Sequence, residues 1–157
     1  ILENLDSLSV SKESIIHSID QRCIKRQKSL CNGSMNTSTA EGRIKYLETN
    51  AYNTGSMTEY IKYSYCNSTC REIYYNATGM DWIEVLDRVQ KRLYETVKQK
   101  EFRCVSILSS EWIDKDQKFI EYRIHYNNSG HKDDIAYMLR MNDTWVINVG
   151  KEIRKAR

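Results

Sequence analysis

The chain has 157 residues, a usual length for one domain and enough to bury a core without staples. Hydrophobic residues make up 40% and charged residues 29%, a balance that excludes an intrinsically disordered chain. The formal net charge of +3 is spread as mixed signs rather than gathered on one element, which argues against a nucleic-acid partner.

The first predicted helix runs from about Lys12 to Leu30. Ser11 caps it, Glu13 complements the helix dipole, Val10 and Ile15 have staple spacing, and Ile15, Ile16, Ile19 and Cys23 form one apolar face. Lys25-Arg26-Gln27-Lys28 reads as its solvated basic end. A polar loop, Asn32 to Ala40, follows. Runs at Arg43–Tyr52, Glu59–Cys66 and Arg71–Asn76 read as strands on their tyrosine and β-branched content, with polar turns at Asn53-Thr54-Gly55-Ser56 and Asn67-Ser68-Thr69. A second helix is expected over Asp81–Lys100, because Val85, Leu86, Val89, Leu93 and Val97 recur at steps of three and four, and Trp82 extends that face.

Arg103–Ile113, Lys118–Tyr126 and Asp134–Met141 then read as strands, and Asn142-Asp143 turns the chain into a last strand, Thr144–Val149. Alternation in Lys118–Tyr126 puts Ile120, Tyr122, Ile124 and Tyr126 on one face and Glu121, Arg123 and His125 on the other. Asp134–Met141 is apolar on both faces, so it should be central. Residues 151–157 should fray. The expected fold class is α+β within a single domain, residues 1–157: a curved antiparallel sheet with two main helices packed on one face, ordered helix, strands, helix, strands, and cone-like. A shift of 61 residues lays Leu47 on Leu108, Lys62 on Arg123 and Tyr65 on Tyr126, as an old duplication or two hairpins obeying the same rules would.

Five cysteines bear on the compartment: Cys23, Cys31, Cys66, Cys70 and Cys104. A turn of the length of Cys66-Asn-Ser-Thr-Cys70 can bring two sulfurs together, Cys23 and Cys31 form a second candidate pair, and Cys104 would be left over. A zinc site is the rival, but Cys-x7-Cys is a poor partner for Cys-x3-Cys, so no metal is expected. Asn32, Asn36, Asn67, Asn76, Asn127 and Asn142 all open Asn-x-Ser/Thr tripeptides, where chance predicts about two. Glycosylation or simple clustering in turns accounts for the excess. Both fit an extracytoplasmic protein, periplasmic or secreted. No run approaches the roughly 18 apolar residues that span a bilayer. Residues 1–12 do not form a signal peptide, and the start at Ile1 is read as the removal of something upstream: a signal peptide, a lipid-anchor segment, a membrane-tether helix, or simply a cut in a longer chain.

A long amphipathic helix, long antiparallel strands and the closing Asn142-Asp143-Thr144-Trp145-Val146-Ile147 together resemble the nuclear transport factor 2-like superfamily and the related cystatin-like folds. Many of those domains end in a short polar turn, a Trp, one residue and an Ile. The resemblance covers Asp81 to Val149 and implies helices wrapped on a strongly bent sheet around a pocket. It implies no single activity, since such domains include hydrolases, isomerases, secretion-system scaffolds and binding modules. The chain has no proline, unlike many relatives, and lacks the cystatin loop pattern Gln-x-Val-x-Gly, so protease inhibition is not implied.

Candidate chemistry is sparse. His125 shares a strand face with Glu121 and Arg123, and His131-Lys132-Asp133-Asp134 follows, so a His–carboxylate base is conceivable, but a polar outer strand face explains the pattern equally well. No nucleophile turn or glycine-rich phosphate loop is present, and no catalytic residue or cofactor is assigned. The expected function is non-catalytic binding of a protein partner, as an envelope assembly subunit, an inhibitor or an immunity-type protein. The tyrosines Tyr60, Tyr63, Tyr65, Tyr74 and Tyr75 should supply the surface. The alternatives are a small-molecule hydrolase or isomerase of cone-like fold and a secreted receptor-binding glycoprotein.

Overall fold

The computed structural model describes Cys31, residues 35–128 and residues 130–151, and the elements described below lie in the unit Ser34–Arg157. The first predicted helix, with His17 and Cys23, falls outside the described residues.

Helix α1 spans Ala40–Thr54. The Thr39 side chain accepts from the Gly42 N–H at its start, and Gly55, at φ 67°, closes it by donating to the Ala51 carbonyl. Ala40, Ile44, Leu47 and Ala51, spaced four, three and four apart, are each no more than 2% exposed. The strand expected over 43–52 is therefore a helix. Its tyrosine and isoleucine content suggested a strand, but the 3.6-residue period between a threonine cap and a glycine stop decides the matter. The same correction holds for the next two runs. Residues 58–62 form the short helix α2 (Thr58–Lys62), only Ser64–Tyr65 is extended, as β1, and Ser68–Thr78 is helix α3. Asn67 caps α3 by accepting from the Cys70 N–H, and Gly79, at φ 73°, ends it. The turn expected at Asn67-Ser68-Thr69 is thus a helix start.

Helix α4, Trp82–Gln99, forms where expected, with the Asp81 side chain accepting from the Glu84 N–H. Val85 and Leu93 are buried on it, and Val89 and Val97 pack half-buried against the core. The strands that follow are β2 (Phe102–Asp114), β3 (Gln117–Tyr126), β4 (His131–Met141) and β5 (Thr144–Asn148). The sheet order is β1-β5-β4-β3-β2, with antiparallel pairing from β2 to β5 and β1 added in parallel beside β5. β4 is central, as its two apolar faces require. Asn142 and Asp143, at φ 51° and 62°, supply the left-handed pair that a two-residue hairpin turn needs.

The fold is α+β, with an open, mostly antiparallel sheet of five strands. Ile44 and Leu47 of α1 pack onto Ile120, Tyr122 and Ile124 of β3, Ala136 and Met138 of β4, and Trp145 and Ile147 of β5 in one apolar cluster. The correspondence at 61 residues is not structural, because Leu47 is on a helix and Leu108 on a strand.

Candidate functional site

The parallel pairing of β1 with β5 sets Tyr65 opposite Asn148, and the Ile147 N–H donates to the Tyr63 carbonyl at 2.8 Å. The chain then turns sharply into α3. A disulfide joins Cys66 to Cys70 with Cα atoms 5.2 Å apart, tying the end of β1 to the first turn of that helix. The Arg71 guanidinium donates to the Cys66 carbonyl at 3.2 Å. Between this corner and the sheet edge lies a cleft of about 460 Å³. Tyr65, Asn67, Thr69 and Ile73 line one side, and Gln117, Asn148 and Lys151 the other. Lys151 Nζ donates to Gln117 Oε1 at 3.4 Å. The lining supplies carboxamides, a hydroxyl, an ammonium and one aromatic ring. It contains neither a carboxylate nor an imidazole, and its cysteine, Cys70, is oxidised. Such a set can hold a polar ligand by paired donors and acceptors.

Cys31 and Cys104 are disulfide-bonded as well, so Cys104 is not the surplus thiol that the sequence suggested. The tyrosine cluster divides. Tyr65 faces the cleft, Tyr60 and Tyr63 pack against the core, and the Arg43 guanidinium lies 4.0 Å from the Tyr63 ring centroid. Tyr74 meets Trp82 edge-on at 5.5 Å, and Tyr75 is exposed. As most of the segment is helical, the five rings do not alternate along strands.

Other titratable groups are committed elsewhere. Ser106 and His125 Nε2 share a hydrogen bond of 2.7 Å on the sheet face away from the core. Burial, then the charges of Arg123, His131 and Arg103, hold the His125 imidazole below its ordinary pKa. The Asp133 carboxylate is taken by Arg123 through bonds of 2.6 and 3.0 Å. Near the start of α1, Glu41 accepts from Lys118 Nζ at 2.6 Å and from Ser110. Burial works to raise its pKa, but these bonds outweigh it and leave the carboxyl below its ordinary value.

Glu48 is the residue that the sequence reading overlooked. It stands on the buried face of α1, where burial pushes its pKa up to about 7 against the opposing hydrogen bond from Tyr122. The signal was present: four residues after Ile44, Glu48 shares its face once the segment is helical. Asn148 of the cleft carries no such signal, because only the long-range β1–β5 pairing brings it beside Tyr65, and Gln117 joins them from β3.

No protein-family model matches the chain, and no curated protein matches it. Among solved structures it is similar to a Campylobacter jejuni protein provisionally described as an NTF2-like transpeptidase. Identity is 14%, the match covers 70% of this chain and 97% of that one, and the TM-score is 0.46.

Proposed function

We propose that the protein is a non-catalytic, extracytoplasmic protein-binding module whose recognition site is the cleft beside the Cys66–Cys70 disulfide. The observation that carries this reading is a cleft of about 460 Å³, within the usual range for binding sites, whose walls offer donors and acceptors but no carboxylate, imidazole or free thiol. Disulfides at Cys31, Cys66, Cys70 and Cys104 support an oxidising compartment. The sheet face under α1 supports the same choice between binding and catalysis, since Ile120, Tyr122, Ile124 and Met138 are each no more than 1% exposed and leave a substrate no room. Side-chain amides pair with both halves of a peptide group, so the expected ligand is an extended polypeptide segment of a partner. Of Tyr60, Tyr63, Tyr65, Tyr74 and Tyr75, only Tyr65 lines the cleft.

A photo-crosslinking residue at Thr69 tests the proposal against a control at Ile83, an exposed position on α4. A discrete adduct from Thr69, absent at Ile83 and suppressed by Tyr65→Ala with melting unchanged, is expected. If the cleft changes have no effect and His125→Ala abolishes a measurable turnover, the binding reading fails and the hydrolase or isomerase alternative replaces it.

A further inference from the structure

The excess of Asn-x-Ser/Thr tripeptides has no part in the cleft, and the described residues sort them by what each asparagine already does. Asn67 Oδ1 caps α3 by accepting from the Cys70 N–H at 2.9 Å, inside the loop that the Cys66–Cys70 disulfide closes. Asn127 is half-buried and accepts from Arg103 at 3.1 Å. Asn36 Oδ1 accepts from the Ser38 N–H at 3.0 Å. Asn76 and Asn142 differ from these. Asn76 lies in the last turn of α3, where residues 75–79 are all exposed, and Asn142 lies at the tip of the β4–β5 hairpin with exposed Asp143 beside it. Neither side chain makes a hydrogen bond among the described residues.

We infer that Asn76 and Asn142 carry asparagine-linked carbohydrate. The donor class is an oligosaccharide on a lipid-linked diphosphate. Asn Nδ2 forms a bond to the sugar C1 as the C1–O bond to phosphate breaks, the lipid diphosphate departs with that electron pair, and the amide nitrogen loses one proton. No electron is gained or lost overall. Both acceptors stand on open surface that accommodates a bulky chain. Next to Asn76, Tyr75 is 57% exposed, and its apolar ring face can take the C–H face of a sugar. Asn67 must stay bare for the proposed cleft to remain open, since it lines that cleft.

The inference rests on the extracytoplasmic reading, and one sample tests the two separately. The chain purified from the cells that make it is weighed by intact-mass spectrometry before and after peptide:N-glycosidase treatment, with occupied sites read as conversion of Asn to Asp. The expected result is a loss of sugar mass, conversion at Asn76 and Asn142, and loss of the sugar carried at these two sites in the Asn76→Gln, Asn142→Gln double variant. A bare mass, or conversion at Asn67 or Asn127 instead, overturns the assignment. Thiol titration of the same sample distinguishes the failures. A bare chain with its disulfides formed overturns the carbohydrate alone, and a bare chain with every thiol free overturns the compartment too.

Discussion

Tyr122 donates its hydroxyl to Glu48 Oε1 at 2.7 Å, binding α1 to β3 through a buried carboxyl. Tyr60 adds a second hydrogen bond, Asp134 of β4 repels the charged form, and Lys132 partly offsets that repulsion. Tyr52 and Tyr126 share a further hydroxyl pair of 2.8 Å in the same interior. The folded protein therefore holds a proton on Glu48 that the unfolded chain releases near pH 4.5.

For an acid whose folded pKa is raised, stability is greatest below the unfolded pKa and falls as pH rises towards the folded one. Between pH 4.5 and about 7 this group alone should cost about 3 kcal/mol. Glu48→Gln keeps an acceptor for Tyr122 and removes the titration. Urea unfolding at pH 5 and pH 8 should show a smaller loss of stability with pH in the variant than in the parent. An identical pH dependence in both would contradict the assignment.

Leu47 is fully buried under the sheet and Leu93 holds α4 to the same cluster. Each substitution to alanine should destabilise by about 2–5 kcal/mol, as large-to-small core changes do. The loss is read as a lower urea midpoint with an unchanged slope.

Gly42 separates helix propensity from packing. A Cβ at this position would lie 1.9 Å from the Asn36 carbonyl oxygen, which is backbone and cannot rotate away. Alanine favours helices over glycine by about 1 kcal/mol, yet Gly42→Ala should destabilise by about 1–3 kcal/mol because the turn at residues 36–39 must shift. A raised melting temperature would show that this turn yields freely.

Four half-cystines, at positions 31, 66, 70 and 104, leave one thiol from five cysteines. Titration of the denatured, unreduced chain should find one thiol per molecule, rising to five after reduction. Three before reduction would mean that only one disulfide forms.

From α4 onward the elements were legible in the sequence, and each is fixed by a period that survives in isolation. Val85 through Val97 repeat as a helix, Ile120 through Tyr126 alternate as a strand, and Asn142-Asp143 has the residues a left-handed turn needs. Over residues 43–76 the reading failed because their tyrosine-rich composition favours strands, whereas tertiary packing and local caps decide for helices. Thr39, Asn67, Gly55 and Gly79 were the readable evidence for those helices. The Cys66–Cys70 bond was legible from spacing alone, although it joins a strand to a helix and not two strands. The cleft was not legible, because no local pattern announces which distant strand will lie beside Tyr65.

The β1–β5 pairing also constrains the order of assembly. Ser64 and Tyr65 pair with Ile147 and Asn148, so the cleft draws walls from stretches about half the chain apart. Contacts of such high sequence separation cost more loop-closure entropy than the local hairpins β2–β3 and β4–β5. A nascent chain still lacking β5 can build α1, α3 and α4, but Tyr65 then has no neighbour to oppose it. Both walls of the cleft are therefore present only once β5 has docked beside β1.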